Sequence, residues 1–194
     1  MSVDASKLVI PGRGTVFTAT KNTLPPTNPL TAFTLTNEPI GWKNLGHTSK
    51  ANTIAFTKEG GEKESIDTFL ASAVRTTISD VSWGVTVPAL QFDEETLRLA
   101  FNGDFDPDTG GYIVASAAPV EVAMFLLFQD TTGKLGFWLP NTVVSLGDAP
   151  TVDTTQFFEL PLAATIQSAP DEIIPGIDGR AGMFEIFKTG LAAA

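Results

Sequence analysis

The stretch VRTTISDVSWGVTV, residues 74–87, alternates between apolar and polar side chains along its second half. The apolar positions are Val81, Trp83, Val85 and Val87, and the positions between them are Asp80, Ser82, Gly84 and Thr86. Successive side chains of a β-strand point to opposite faces of its sheet, so this period of two predicts a strand with one buried and one exposed face. Upstream, Thr76 continues the polar face, although Ile78 interrupts it.

Similar short runs of Thr, Val, Ile and Phe, separated by Gly, Pro, Asn and Asp, occur along the whole chain. They predict strands at 14–20, 53–58, 62–70, 74–87, 111–117, 121–129, 133–139, 142–147, 156–167 and 181–188. Residues 122–128 are apolar at every position, which predicts a strand that is covered on both faces.

One segment, FDEETLRLAFNG (92–103), has the pattern of a helix. Asp93 suits the N-cap, and Glu94 and Glu95 lie in the first turn, where the helix dipole favours negative charge. Gly103 is expected to end the helix. The predicted fold class is therefore all-β with one short helix, arranged as a sandwich or a barrel.

The size and charge of the chain limit what it can bind. A length of 194 residues predicts one domain that spans 1–194. There are 12 Lys and Arg against 22 Asp and Glu, a net charge of −10, which argues against a surface built to grip phosphate backbones. DNA that the protein repels is still compatible with this charge.

No targeting or membrane-spanning segment is predicted. The N-terminus has no basic stretch that leads into an apolar run, so we expect no signal peptide and synthesis in the cytoplasm. The longest apolar run, residues 122–128, is far shorter than a membrane-spanning helix requires.

Catalytic chemistry finds little support in the residue types. The chain has no cysteine and a single histidine, His47, which excludes disulfides, thiol nucleophiles and multi-histidine metal sites. A Ser-His-Asp hydrolase would need His47 as its base, and the chain contains no G-x-S-x-G elbow. We therefore expect no enzyme activity, no catalytic residues, no metal and no cofactor.

An acidic loop, NGDFDPDTGGY (102–112), begins like a calcium-binding EF-hand loop, with aspartates at 104, 106 and 108. The sixth position of that template should be Gly and is Thr109, and the twelfth should be Glu and is Ala115. An acidic turn that connects the helix to a strand is the favoured interpretation.

A proline-rich segment covers residues 21–41, KNTLPPTNPLTAFTLTNEPIG, which we call the arm. Proline removes backbone donors and stiffens the chain, so the arm is predicted to be a long ordered loop. Its large apolar side chains need a surface to cover them, and a neighbouring subunit is one candidate. These inter-subunit candidates are Leu24, Leu30, Phe33 and Leu35.

The segment 42–103 resembles the major tail tube proteins of long-tailed, non-contractile phages, especially those of actinobacterial hosts. The matching features are W-x-x-L-G at 42–46, a polar strand, a V-R-T turn into a long amphipathic strand, and an E-E-T-L-x-L helix that closes on Asn-Gly. The order of the arm and of the later strands agrees as well.

The resemblance implies a β-sandwich with one flanking helix, six copies of which form a ring with a continuous inner barrel. The rings would stack into a virion tail tube that is assembled with tape-measure, tail terminator and tail tip proteins. DNA would later pass through the lumen without specific binding. The protein itself would be made in the bacterial host cytoplasm.

An acidic lumen would repel the phosphates of passing DNA, whereas Lys or Arg contacts would arrest it. The exposed face of 74–87 is the favoured lumen lining, and the alternative is an ordinary outer surface, because a period of two does not say which face points inward. The candidate lumen residues are Glu64, Asp67, Thr76, Asp80, Ser82 and Thr86.

Two other functional classes stay open from the sequence. A carbohydrate-binding β-sandwich would use exposed tryptophans and calcium at 104–108. A glycosidase would need a pair of carboxylates in a cleft, drawn from Asp93, Glu94, Glu95 or the 104–108 cluster.

Overall fold

The computed structural model describes residues 8, 11–70, 72, 74–116 and 118–190. Within them the strands are β1 (Arg13–Thr20), β2 (Lys43–Asn44), β3 (Ala55–Gly60), β4 (Lys63–Ile66), β5 (Arg75–Ile78), β6 (Val81–Ala89), β7 (Asp104–Phe105), β8 (Tyr112–Ile113), β9 (Val120–Gln129), β10 (Lys134–Leu146), β11 (Leu160–Ile166) and β12 (Glu185–Lys188). The helices are α1 (Pro29–Ala32) and α2 (Glu94–Phe101).

An eight-stranded antiparallel sheet forms the body of the protein, in the order β2-β1-β9-β10-β11-β6-β3 with β12 beside β10. The first half of β10 pairs with β12 and its second half with β11, and the register shifts between Leu139 and Thr142. In the described part of the chain the sheet is not closed into a barrel, since β2 and β3 end the path.

The central strand β9 is covered on both sides, as its sequence predicts. Val122, Met124 and Leu126 belong to a large apolar core with β6, β10, β11 and α2. Ala123, Phe125 and Leu127 belong to a second, aromatic core on the other face. A strand buried on both faces loses the alternation of polar residues, which explains its continuous apolar run.

The alternation in residues 81–87 is confirmed where the strand lies over the core. Val85 and Val87 are each 1% exposed, whereas Val81, at the start of β6, is 40% exposed because it lies beyond the core. The predicted single strand 74–87 is interrupted at residues 79–80 and forms β5 and β6. The predictions at 133–139 and 142–147 instead merge into the one strand β10.

Helix α2 begins as predicted, with the Asp93 side chain accepting a hydrogen bond from the Thr96 N–H at 3.0 Å. It ends at Phe101, and its C-cap residue Asn102, which precedes Gly103, adopts the left-handed conformation. The expectation of a single helix is wrong. The arm contains the one-turn helix α1, which starts at Pro29, because proline is favoured in the first turn of a helix.

Several predicted strands are shorter in the structure. The prediction at 62–70 becomes β4, which ends at Ile66, and the prediction at 156–167 becomes β11, which starts at Leu160. The prediction at 111–117 retains only Tyr112 and Ile113, and residue 117 lies outside the described residues. β-forming residues extend past the point where a partner strand ends, so composition overstates strand length.

Candidate assembly surfaces

The four strands β3 to β6 form one long hairpin. Ala55 pairs with Thr86 and Gly60 with Val81 in its lower part, and Lys63 pairs with Ile78 in its upper part. The two position numbers add to the same value in both parts, so the register continues across the interruption. We call residues 55–86 the long hairpin.

The interruption depends on two glycines. Gly60 and Gly61 both have a φ of 74°, a conformation that other residues adopt at a cost. A Cβ atom on Gly60 would collide with the carbonyl oxygen of Asp80. On the other strand, the Ser79 N–H donates to the Glu62 carbonyl at 3.1 Å, which keeps the two strands together through the bend.

Large apolar side chains stand exposed at the upper end of the long hairpin. Phe69 and Leu70 are fully exposed, at 111% and 98%, and Ile66 and Val74 are more than half exposed. We call these four residues the hairpin tip. Exposed apolar clusters of this kind mark interaction surfaces in soluble proteins.

The outward face of β3, β6, β11 and the second half of β10 is built from short side chains. Thr86 is flanked by Ala55 and by Ala163, and Gly84 by Thr57 and by Thr165. We call this surface the small-residue face; its described members are Ala55, Thr57, Glu59, Ser82, Gly84, Thr86, Val143, Ser145, Ala163 and Thr165. Among them Glu59 carries the one charge.

The pairing of strands in the long hairpin places the predicted lumen residues on different faces. Ser82 and Thr86 lie exposed on the small-residue face, and Asp80 is exposed in the interruption above it. Thr76 pairs with Ser65, whereas Glu64 pairs with Thr77, so Thr76 and Glu64 lie on opposite faces of the upper hairpin.

Asp67 and Glu59 are two further acidic residues of the long hairpin. Asp67 is exposed and lies outside the paired strands. Glu59 was missed by the sequence analysis, although it pairs directly with Ser82 on the small-residue face. Its sequence neighbours are polar, and only the pairing of β3 with β6 reveals its face. The lumen assignment of these residues stays a prediction.

The arm lies against the protomer's own sheet. Phe33 is fully buried, its ring stacks on Phe125 at a centroid distance of 4.1 Å, and it meets Trp42 edge-on at 5.2 Å. Leu30 and Leu35 are partly buried against the same aromatic core. The protomer's own sheet therefore covers Phe33 completely and Leu30 and Leu35 in part, so these three side chains do not need a neighbouring subunit for burial.

Lys134 fastens the arm to the sheet. Its ammonium group donates hydrogen bonds to the carbonyl oxygens of Leu30 at 2.7 Å and Phe33 at 3.0 Å, which supplies a donor for carbonyl groups at the end of α1. Leu24 differs from the other arm residues because it is 58% exposed. An inter-subunit role stays a prediction for Leu24.

The acidic loop is organised by its own hydrogen bonds. The Thr109 hydroxyl donates to Asp106 at 2.8 Å and the Asp108 N–H at 2.9 Å. The hydrogen bond from Thr109, together with that from Asp108, lowers the pKa of Asp106 below its usual value. No cluster of three or more His, Asp or Glu that could hold a metal ion is found in the part of the chain that the structure describes.

The tryptophans do not form a sugar-binding platform. Trp42 and Trp138 are 3% and 2% exposed, and Trp83 packs edge-on against Phe184. The carbohydrate-binding alternative depended on exposed tryptophans, so it loses its main support. None of the helices in the described residues is long and apolar enough to span a membrane.

In the described residues, an open sheet whose edge at β3 is unpaired, a face of short side chains and an exposed apolar tip are the features of an all-β protein with surfaces suited to assembly. The chain belongs to the phage tail tube protein family, whose model matches residues 1–174. It is therefore a structural subunit of a virion tail. The resemblance seen in residues 42–103 is confirmed.

Two relatives support this assignment. The major tail protein Gp23 of Mycobacterium phage L5 is 29% identical over 135 residues, which cover 69% of this chain and 68% of the relative. The major tail protein Gp23 of Mycobacterium phage D29 is 27% identical over 135 residues with the same coverage of each chain.

Proposed function

We propose that six copies of this protein form a ring, that the rings stack into a tube, and that the small-residue face lines the lumen through which DNA passes. Membership of the tail tube family supports assembly into a tail. The single observation that carries the lumen assignment is the small-residue face, which combines short neutral side chains with one carboxylate on its edge strand β3.

The chemistry of the small-residue face suits a passage for DNA. Its charged side chain, Glu59, repels phosphates, and the nearby Lys58 pairs with Trp83 on the opposite face of the hairpin. Cationic groups on a lumen would release counterions from DNA and bind it, and six-fold repetition along a tube would multiply that effect. Short side chains also leave the largest opening for a given ring.

Ring closure is supported by the free edge of the sheet. Strand β3 pairs with β6 and, within the described residues, with no second strand. An exposed edge presents unpaired N–H and C=O groups that another chain can pair with, and a closed ring of subunits removes such edges. In the tail, the tape-measure, terminator and tip proteins would be the further partners.

Assembly is tested by negative-stain microscopy of the purified protein. We expect rings with a central hole, or tubes built from them. A protein that remains monomeric at all concentrations, or that forms sheets without a hole, would contradict the proposed ring.

The lumen assignment is tested in phage particles that carry Glu59→Lys, with Asp80→Lys as a second variant. Each replaces a repelling group by an attracting one in every subunit, so we expect tails of normal length and slow or incomplete DNA release that high salt relieves. Asp108→Lys, in the acidic loop, makes the same change of charge away from the face and is the matched control. Normal release by both lumen variants would place this face on the outside of the tube.

A further inference from the structure

A groove of about 730 Å³ lies beside the C-terminal end of β6, where residues 46–50 cross that strand. Its size falls within the range of about 300–1,000 Å³ that binding pockets commonly have. Leu35, Ile54 and Phe128 give it an apolar lining.

The charge of the groove is opposite to that of the chain. Arg13 and Lys50 line it, and no Asp or Glu is among its described lining residues; Asp130 lines the smaller pocket that adjoins it at Arg13. The chain as a whole has 22 Asp and Glu against 12 Lys and Arg. A positive groove on a negative protein favours an acidic occupant with apolar side chains.

The groove and the hairpin tip lie at opposite ends of the same strand. The Leu90 N–H donates to the His47 carbonyl and the Ser49 N–H to the Pro88 carbonyl, each at 2.9 Å, which fixes the groove at the end of β6. The strand has 9 residues, and at about 3.3 Å per residue it is roughly 30 Å long. The hairpin tip lies beyond its other end and cannot reach the groove of its own protomer.

We propose that the hairpin tip of one protomer occupies this groove on a protomer of the next ring. The proposal rests on the proposed stacking of rings and names the contact that would join them. A contact between two different surfaces of the same protein can repeat head to tail, and it produces an open stack when the rotation between copies does not close a ring. Phe69 and Leu70 would meet the apolar lining, and the carboxylate of Glu64 would lie near Lys50.

The charges of the hairpin agree with this pairing. Residues 62–78 contain three carboxylates, those of Glu62, Glu64 and Asp67, against the two cationic groups of Lys63 and Arg75. The excess of negative charge is small, and it matches a groove whose charged side chains are positive. Apolar burial supplies the main attraction, and charge selects the groove over the acidic surfaces elsewhere.

The N-terminal segment is the competing occupant, because Pro11, which follows it in the sequence, lines the groove. Residues 1–7 carry one acidic and one basic side chain, so they add no complementary charge. Leu8 is 70% exposed and does not line the groove. These observations favour the hairpin of a second copy.

The absence of cysteine allows a direct cross-linking test on assembled tubes or tails. Phe69→Cys and His47→Cys are introduced in separate chains, the two proteins are co-assembled, and disulfides are formed by mild oxidation. A disulfide requires Cα atoms about 4.4–6.8 Å apart, so it reports contact. We expect a dimer that contains one chain of each kind.

The control mixture combines Phe69→Cys with Ile177→Cys, an exposed position on another loop, and we expect no cross-link. Tubes of normal shape without the 69–47 cross-link would overturn the proposed contact and leave the tail tube function intact. Dimers of Phe69→Cys alone would show that two tips meet each other, which also overturns it. An intramolecular link in a Leu8→Cys, His47→Cys double variant would assign the groove to the N-terminal segment.

A charge variant tests the same contact without cysteine. Lys50→Glu should raise the protein concentration needed for tube formation at least tenfold, and adding Glu64→Lys in the same chain should restore it in part. Each single variant should keep the circular dichroism spectrum of the parent. Unchanged assembly of Lys50→Glu would overturn the proposal, whereas failure of the parent protein to form any tube would instead contradict the proposed function.

Discussion

The arm and the long hairpin are both long excursions from the sheet that carry large apolar side chains, and they use them in opposite ways. The arm folds back, so that Phe33 is fully buried between Phe125 and Trp42. The hairpin projects away, so that Phe69 and Leu70 are fully exposed. The arm completes the core of its own protomer, whereas the hairpin tip is available to contact a second molecule.

The difference shows how proline and glycine direct a chain. The arm is held by a one-turn helix that begins at Pro29 and by the Lys134 hydrogen bonds, which return it to the sheet. The hairpin is bent at Gly60 and Gly61, and its strands pair with each other beyond the core. A paired hairpin satisfies its backbone groups without any support from the sheet, so its side chains can stay exposed.

Deleting part of the arm and deleting the end of the long hairpin should give the largest difference in stability and assembly. Deletion of 24–36 takes Phe33 and Leu30 out of the aromatic core and should abolish the cooperative unfolding transition. Deletion of 67–74 removes a segment whose described residues belong to neither apolar core, so it should leave a folded monomer that does not form tubes. Circular dichroism and thermal melting measure both, and a folded deletion of the arm would return the arm to an inter-subunit role.

A Phe→Ala substitution should affect mainly stability in the arm and mainly assembly in the long hairpin. Phe33→Ala leaves a cavity in a packed core and should lower the free energy of unfolding by about 3–5 kcal/mol. Phe69→Ala is a surface change in the monomer and should alter it by no more than about 0.5 kcal/mol. As long as both variants fold, Phe69→Ala should impair tube formation more than Phe33→Ala does. Equal stability losses, measured by denaturant unfolding, would remove the distinction.

Lys134 should contribute to stability through the arm alone. Lys134→Met keeps the length of the side chain and removes the charged donor to two carbonyl groups, so we expect a loss of about 1.5–3 kcal/mol. Lys58→Met, on the exposed hairpin, is the control and should cost no more than about 0.5 kcal/mol. Proteolysis should also become faster within residues 21–41 in the Lys134 variant; unchanged cleavage would mean that apolar packing alone holds the arm.

The bend of the hairpin should depend on Gly60. Gly60→Ala places a Cβ at a positive φ and against the Asp80 carbonyl, so it should cost about 1–2 kcal/mol in backbone strain and also impair tube formation. Gly110→Ala has a similar φ of 70° in open space, so it should cost the same strain and leave assembly unchanged. Denaturant unfolding and electron microscopy check the two effects; normal tubes from Gly60→Ala would show that the bend is dispensable.

The acidic loop should give the smallest effect of all. Its carboxylate at Asp106 already accepts hydrogen bonds from Asp108 and Thr109, and the loop lacks the ligands of a calcium site. A ligand that binds the native state raises its stability by mass action, so melting temperatures in millimolar calcium and in chelator should coincide. A clear rise with calcium would restore the metal hypothesis.

The sequence predicted the β-rich class, the helix at Asp93 and the double burial of β9, because each depends on local periodicity or capping. It did not predict which excursion is buried. Phe33 and Phe69 both lie in short runs that mix leucine with small and polar residues, and only the position of β9 and β10 under the arm distinguishes them. It also grouped Glu64 with Thr76, because the face of a residue depends on its pairing across the hairpin.

Amide hydrogen exchange of the monomer and of the assembled tube tests the central claim most directly. We predict that peptides covering 28–35 are protected in both states, because Phe33 belongs to the core of its own protomer. Peptides covering 66–74 should exchange rapidly in the monomer and become protected in the tube. Protection of 66–74 that does not change on assembly, together with an arm that becomes protected only in the tube, would contradict this account.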